Sequence, residues 1–172
     1  GITHISGFAY GFGHPLGGLD HMLAMVAVGV LAFGLGGRAL WLVPLSFLAM
    51  MAAGFILGVA HTDLPFVELC IALSSVAIGA AAALGRPMPA AAAMALVGVF
   101  AVFHGHAHGA EMPGDTADPA YALGFILATA LLHVAGIAAS LGAARLAGRF
   151  GRIAVRTAGA GLAIGGLAVL AG

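Results

Sequence analysis

Long apolar runs, each near the length of one membrane crossing and separated by short polar breaks, constrain this chain more than any other feature. About 20 apolar residues span the hydrocarbon core of a bilayer as an α-helix. Only 7% of the 172 residues are charged and no Lys occurs, whereas soluble domains are about 25% charged. So few charges cannot cover a water-exposed surface, and the sequence therefore predicts an integral membrane protein.

Six such runs predict an all-α fold, a bundle of about six transmembrane helices that forms one domain over residues 1–172. Pro15 suits the first helical position because its missing N–H needs no partner there. An N-terminal extension of this first helix, through Gly7 and Gly11, is left open. The predicted helices cover about 15–36, 39–60, 65–85, 88–108, 119–146 and 152–171.

The basic residues predict the orientation of this bundle. If six helices alternate, every Arg falls at one membrane face, which the positive-inside rule makes cytoplasmic. These residues are Arg38, Arg86, Arg145, Arg149, Arg152 and Arg156. The outer face then collects the acidic residues Asp63, Glu68, Glu111, Asp115 and Asp118. Both termini are expected on the outer side of the membrane, which fits removal of a signal peptide before Gly1, with a trimmed chain as the alternative.

Several classes of function and partner are excluded by what the sequence lacks. Cys70 is the only cysteine, so neither an intrachain disulfide nor a Cys-rich metal cage can form. The net charge is zero and no basic block suggests a nucleic acid. No Gly-x-x-x-x-Gly-Lys loop occurs, so this chain alone does not use ATP. Small residues four apart, such as Gly161 and Gly165, predict tight packing within the bundle, with contacts in a homo-oligomer as the alternative.

Two imidazoles and a carboxylate open the first apolar run, in the stretch HPLGGLDH at residues 14–21. A charge at the centre of a membrane helix costs roughly 2.5–3.5 kcal/mol, so it usually faces a partner, a cavity or an ion path. Asp and His side chains are ligands of divalent transition metals. At 3.6 residues per turn, His14 and His21 share a face if the helix includes His14, and Asp20 lies about 100° around from His21.

A second group of histidines lies near the outer end of the fourth predicted helix. His104 and His108 are four residues apart, so both can bind one ion. Glu111 can serve as a further ligand or orient an imidazole N–H. His133 lies deeper, in the fifth helix, as a later station for the ion. His61, His106 and His4 are expected to be peripheral. The predicted metal ligands are His14, Asp20, His21, His104, His108, His133, Glu68 and Glu111.

These stretches resemble the HupE/UreJ family of membrane proteins. The matching pieces are HP at 14–15 through DHMLAM at 20–25 and FHGHAHGAE at 103–111, with weaker matches in LPFVE at 64–68 and ATALLH at 128–133. The resemblance implies a permease for nickel or cobalt that accompanies hydrogenase or urease. It also implies that the motif residues are His14, Asp20, His21, His104 and His108. A separate family of nickel/cobalt transporters has one residue fewer between its His and Asp-His, and this chain does not match that spacing.

A secondary transporter is therefore predicted, and not an enzyme. Its substrate is a divalent metal ion that moves from periplasm to cytoplasm, and no organic cofactor is expected. Ni²⁺ follows from the resemblance, since nitrogen and oxygen ligands also suit Co²⁺, Cu or Zn²⁺. One alternative is a membrane metal sensor or accessory binder that does not transport. The other is an intramembrane metallohydrolase, against which the lack of a His-Glu-x-x-His helix counts.

Overall fold

Seven α-helices and two short 3₁₀ turns make up the described part of the chain. The computed structural model describes residues 2–114 and 118–172, so Asp115, predicted for the outer face, lies outside the described residues. The helices are α1 (Ile2–Gly13), α2 (Leu19–Leu35), α3 (Ala39–Val59), α4 (Val67–Leu84), α5 (Ala90–Ala110), α6 (Pro119–Ala147) and α7 (Gly151–Ala171). Because the described residues contain helices and no strand, the predicted all-α fold is confirmed.

The helices are those of a membrane protein, as predicted. Among the described residues, α3, α4, α5 and the 53-residue stretch from Pro119 to Ala171 are each long and apolar enough to cross a membrane. A fifth span results if the helical residues on both sides of Gly18 are taken as one bent pair. Length and composition alone therefore give four to five candidate spans and not the predicted six. The difference arises because α2 has only 17 residues and because α6 and α7 are joined by a helical turn.

The first helix is broken where the sequence suggested continuity. The 3₁₀ turn His14–Gly17 contains Pro15, and Gly18 after it is extended, with φ −113° and ψ 120°. The helical stretches before and after Gly18 are consequently inclined by 85°. The condition under which His14 and His21 would share one helix face, a single helix that includes both, is therefore not met. The physical reason is local, because Pro15 lacks a backbone N–H and two glycines follow it.

The chain also folds back between α6 and α7. Gly148 has φ +55°, which ends α6, and the 3₁₀ turn Gly148–Phe150 follows. A Cβ on Gly151 would lie 2.9 Å from the carbonyl oxygen of Ala144. Residues seven apart are about 10 Å apart along a straight helix axis. The stretch from Pro119 to Ala171 is therefore two helices and not one rod.

Glycines allow α3 and α5 to pack backbone against backbone. A Cβ on Gly54 would collide with the carbonyl oxygen of Val102, and one on Gly105 with that of Met51. Further along, a Cβ on Gly58 would collide with the backbone of the α5 residues 106–110. Four residues further along α3, the facing α5 residue moves from Val102 at Gly54 to His106 at Gly58, so α3 and α5 run parallel. This close approach, typical of small residues in membrane helices, fixes the His104–His108 end of α5 beside the end of α3.

The remaining long helices pack through small residues in the same way. The positions of Gly79 and Gly166 face Ala163 and Ser75 respectively, so α4 and α7 run antiparallel. Gly29 of α2 lies against the backbone of α6 at residues 133–137. At the far end of α2, Leu35 lines a cleft together with Arg86 and Arg152. The arginine-rich end of the bundle is thus opposite the end that carries His14.

Candidate metal centre

Four histidines from three parts of the chain meet in one continuous set of contacts, which we call the outer histidine cluster. It consists of His14 from the first 3₁₀ turn, His21 from α2, and His104 and His108 from α5. Ring centroids are 5.1 Å apart for His14 and His108, 4.9 Å for His108 and His21, and 4.7 Å for His21 and His104. Sequence spacing predicted two separate pairs, His14 with His21 and His104 with His108, and the fold brings the two pairs into contact.

Helix α5 presents two fully buried imidazoles, since His104 and His108 are both 0% exposed. Both rings contact His21, which is what their four-residue spacing on one helix face predicts. The ring of His108 stacks on Phe125 of α6 with a centroid distance of 5.1 Å and an interplanar angle of 17°. This stacking holds the His108 ring in place, while both of its nitrogens have no hydrogen-bond partner among the described residues.

The protonation of His104 and His21 follows from a hydrogen-bond chain that starts on α4. The Ser74 hydroxyl donates to the carbonyl of Ile71 over 2.6 Å, so its oxygen accepts from Nε2–H of His104 over 2.8 Å. A neutral His104 then has a bare Nδ1, which accepts from Nδ1–H of His21 over 3.0 Å. His21 therefore keeps the lone pair on its Nε2, the form in which an imidazole binds a metal.

His14 is oriented by a carboxylate in the same manner. Its Nε2–H donates to Oε2 of Glu111 over 2.7 Å, and the two side chains are 33% and 51% exposed. A neutral His14 then carries its lone pair on Nδ1. Carboxylates that hold the second nitrogen of a metal-binding imidazole raise its basicity and fix its orientation. This contact favours the second of the two roles predicted for Glu111, in which it orients an imidazole, here that of His14.

Asp20 lies next to the cluster at the start of α2. Its Oδ1 accepts from the backbone N–H of His21 over 2.8 Å, and the side chain is partly buried. A carboxylate in the first turn is favourable because helix N-terminal N–H groups lack partners within the helix. Asp20 therefore supplies negative charge beside His21, in a position from which it can help to bind a cation.

Two predicted ligands lie apart from these contacts. Glu68 is exposed in the first turn of α4 and makes no hydrogen bond or ion pair with any described residue. His133 is buried on α6, where its ring lies against Phe47, and the structure gives it no direct contact with the outer cluster. Their roles as ligands stay predictions.

The histidines expected to be peripheral have other neighbours. Nε2 of His106 donates to the carbonyl of Thr62 over 2.6 Å. His4 lies on α1 with its Nδ1 3.9 Å from a carboxylate oxygen of Asp118. His61 is exposed after α3 with φ +53°. None of the three contacts the outer histidine cluster in the described structure.

The cluster is a set of paired ligands and not a closed cage. Within residues 2–114 and 118–172, no three His, Cys, Asp or Glu side chains converge closely enough to hold one metal ion. His14 and His21 are instead engaged with Glu111 and His104. An ion bound here would draw these side chains together.

Ser74 is the residue that the sequence patterns did not reveal. It is fully buried on α4 and forms the base of the hydrogen-bond chain to His104 and His21. The one signal was the Ser74-Ser75 pair inside an otherwise apolar helix, because buried hydroxyls in lipid need partners. Which imidazole the hydroxyl would meet depends on how α4 packs against α5.

Comparison with known proteins identifies the group to which this architecture belongs. The family model HupE_UreJ, described as HupE / UreJ protein, matches residues 1–169. The chain belongs to the HupE/UreJ family. Within HupE/UreJ, it is 44% identical over 169 residues to Protein HupE of Rhizobium leguminosarum bv. viciae, and the match covers 98% of this chain and 87% of that protein. No solved structure matches the chain.

Membership confirms the resemblance carried by the two histidine motifs. HupE/UreJ is a family of membrane transporters and accessory proteins, associated with nickel or cobalt uptake for hydrogenase or urease, and it is not an enzyme family.

Proposed function

We propose that this chain is a secondary permease that carries Ni²⁺ from the periplasm to the cytoplasm through the outer histidine cluster. The observation that carries this proposal is the unbroken series of imidazoles from the half-exposed His14–Glu111 pair to the fully buried His104. An ion that enters this series exchanges water for nitrogen ligands step by step. Ni²⁺ rather than Co²⁺, Cu or Zn²⁺ is proposed from the family's association with nickel uptake.

The pairing of the ligands supports transport over storage. A conducting site must bind well enough to admit an ion and weakly enough to release it. Here an arriving ion must displace the hydrogen bond between His21 and His104 before it binds either Nδ1 atom, whereas Nε2 of His21 is already free. A partly buried Asp20 carboxylate offsets the charge of the ion. We propose Asp20 and His21 as the ligands to which the ion passes from His14 and His108.

The proposed topology has six crossings, with α2 to α7 alternating in direction and both termini in the periplasm of a bacterial inner membrane. It is supported by the parallel run of α3 and α5, the antiparallel run of α4 and α7, and the reversal of the chain at Gly148. An inside-negative potential then drives the ion, since a divalent charge gains about 4.6 kcal/mol per 100 mV, twice the value for a unit charge. No ATP is required.

Metal uptake into sealed proteoliposomes tests this function. The purified protein should accumulate Ni²⁺ above the external concentration when the interior is negative, and protein-free liposomes should not. Asp20→Asn, which keeps the side-chain volume, should reduce the rate by about 10-fold or more, the range in which groups around a metal site act. Stoichiometric binding without accumulation would indicate a sensor or accessory binder. Competition by Co²⁺, Zn²⁺ and Cu²⁺ in the same assay measures the selectivity.

A further inference from the structure

His133 is a buried polar side chain that the outer cluster does not use. It is 1% exposed on α6, and neither ring nitrogen has a hydrogen-bond partner among the described residues. Buried polar groups in proteins are nearly always paired, because an unpaired one loses the hydrogen bonds it made with water. In a membrane interior bulk solvent does not supply the partner, so a bound ion or a buried water must do so.

A single aromatic ring separates His133 from the outer cluster. Phe47 of α3 is 0% exposed, and its ring meets that of His133 edge to face at 5.1 Å. The same Phe47 ring lies 5.9 Å from the ring of His104. Phe47 thus contacts the innermost imidazole of the cluster and His133 together, which makes His133 the next nitrogen donor beyond His104.

Oxygen and sulfur atoms lie one helical turn away from this contact. The Thr129 hydroxyl and the Met51 sulfur are 3.7 Å apart, and both side chains are fully buried. Thr129 precedes His133 by four residues on α6, and Met51 follows Phe47 by four residues on α3. The contact between Thr129 and Met51 therefore lies one helical turn from the contact between His133 and Phe47, along the same interface of α3 and α6. An oxygen and a sulfur atom thus lie within one helical turn of the His133 imidazole, and together these donor types suit a borderline transition-metal ion better than Ca²⁺ or Mg²⁺.

We propose that His133 forms a second, inner binding station for a divalent transition-metal ion, reached from His104 past the ring of Phe47. The inference rests on the proposed function, since it gives the transported ion its next ligand after the outer cluster. Once the ion leaves His21 and His104, the His133 imidazole replaces a nitrogen ligand that the ion has lost. The ion therefore crosses a shorter distance without a nitrogen ligand. Removing this imidazole should therefore slow transport of the ion and leave its binding at the outer histidine cluster unchanged.

The test compares His133→Leu, His133→Cys and a control, Ser140→Ala, by Ni²⁺ binding and by uptake into proteoliposomes. Ser140 is buried on the same helix, but its hydroxyl donates only within α6, to the carbonyl of Gly136. We expect His133→Leu to bind Ni²⁺ at the outer cluster as the wild type does and to accumulate it at least about 10-fold more slowly, a loss typical of a missing metal contact. Ser140→Ala should match the wild type in both measurements.

His133→Cys separates a ligand from a structural residue. A thiolate favours softer ions, so this variant should retain uptake and shift its preference from Ni²⁺ towards Zn²⁺ and Cd²⁺. Uptake by His133→Leu at the wild-type rate, or unchanged metal preference in His133→Cys, would overturn the inner station and leave the proposed function intact. If the folded wild-type protein binds Ni²⁺ but accumulates none, the proposed function fails, and the inner station fails with it.

Discussion

The Nδ1 atoms of His21 and His104 lie 3.0 Å apart, although 83 residues separate the two histidines in the chain. Only one of the two atoms can carry the shared proton, and the Ser74 contact assigns it to His21. One hydroxyl on α4 thereby determines which nitrogen of a histidine on α2 is free to bind an ion. Three helices are coupled at the point where the chain is expected to hold its substrate.

Replacing Ser74 tests this coupling. In Ser74→Ala, Nε2–H of His104 loses its acceptor, which costs about 1–3 kcal/mol for a buried donor. His104 can then move its proton from Nε2 to Nδ1, which leaves the free lone pair on Nε2 of His104 instead of on Nε2 of His21. We expect Ni²⁺ affinity to fall by about 10- to 100-fold, as for other groups that orient metal ligands. Isothermal titration of the purified protein in lipid nanodiscs measures this affinity.

The neighbouring serine provides a matched control for that experiment. Ser75 is also fully buried on α4, but its hydroxyl has no hydrogen-bond partner among the described residues and packs near Gly166 of α7. Ser75→Ala should therefore leave Ni²⁺ affinity within about 2-fold of the wild type, since no described hydrogen bond is lost. Equal losses in the two variants would show that the assigned tautomers do not govern binding.

The contact between His14 and Glu111 predicts a role for the carboxylate charge. Glu111→Gln keeps an acceptor for His14 but removes the negative charge that raises the basicity of the imidazole. We expect Ni²⁺ capture to weaken by about 10-fold or more. Asp63→Asn removes an equal charge from the exposed loop after α3. It is therefore the control for a general loss of negative electrostatic potential at the outer end of the bundle. Similar effects of both substitutions would argue for electrostatic attraction alone.

Acidity should oppose binding. A protonated imidazole has no lone pair and repels a cation, whereas a neutral one is a ligand, so each bound histidine couples metal affinity to pH. Because burial disfavours the charged form of an imidazole, its titration extends below the usual histidine value of about 6.5, and Ni²⁺ binding should be stronger at about pH 7.5 than at about pH 4.5. Titrations at the two values in the same buffer and salt check the sign. Binding that strengthens as the pH falls would contradict imidazole ligands.

Close helix packing gives a prediction about folding. A Cβ on Gly105 would collide with the α3 backbone at Met51, so Gly105→Ala must push α3 and α5 apart. Overpacking typically costs about 1–3 kcal/mol, and here it also displaces His104. The control is Gly142→Ala, which adds a methyl group without a clash because nothing lies within 4 Å of a Cβ at Gly142. Thermal unfolding in detergent should show a lower Tm only for Gly105→Ala.

The sequence was sufficient for the fold class and for the residues of the cluster, but not for their arrangement. The lack of charge and the apolar runs predict a membrane helical protein because lipid permits little else. The four-residue spacing of His104 and His108 predicts their common face, since helix geometry is local. The break at Gly18 was missed because the continuous apolar run favoured extending the helix back to Pro15. The pairing of Ser74 with His104 depends on how α4 packs against α5, which no local pattern encodes.

Contact between copies of the chain stays the alternative interpretation of the glycine pattern, beside tight packing within one bundle. Gly161 of α7 has nothing within 4 Å of a Cβ position, while a Cβ on Gly165 would lie 3.5 Å from the side chain of Leu23. The face around Gly161 is thus open within one chain, as a contact between copies would require. Crosslinking at this face would test the prediction.

Transport through the outer histidine cluster is best tested by potential-driven Ni²⁺ accumulation in sealed proteoliposomes, measured for the wild type, His21→Ala and His106→Ala. His106 matches His21 as a partly buried histidine, but it binds the Thr62 carbonyl and lies outside the cluster contacts. We expect accumulation by the wild type and by His106→Ala, and its loss in His21→Ala. Accumulation by folded His21→Ala at the wild-type rate would contradict transport through this cluster.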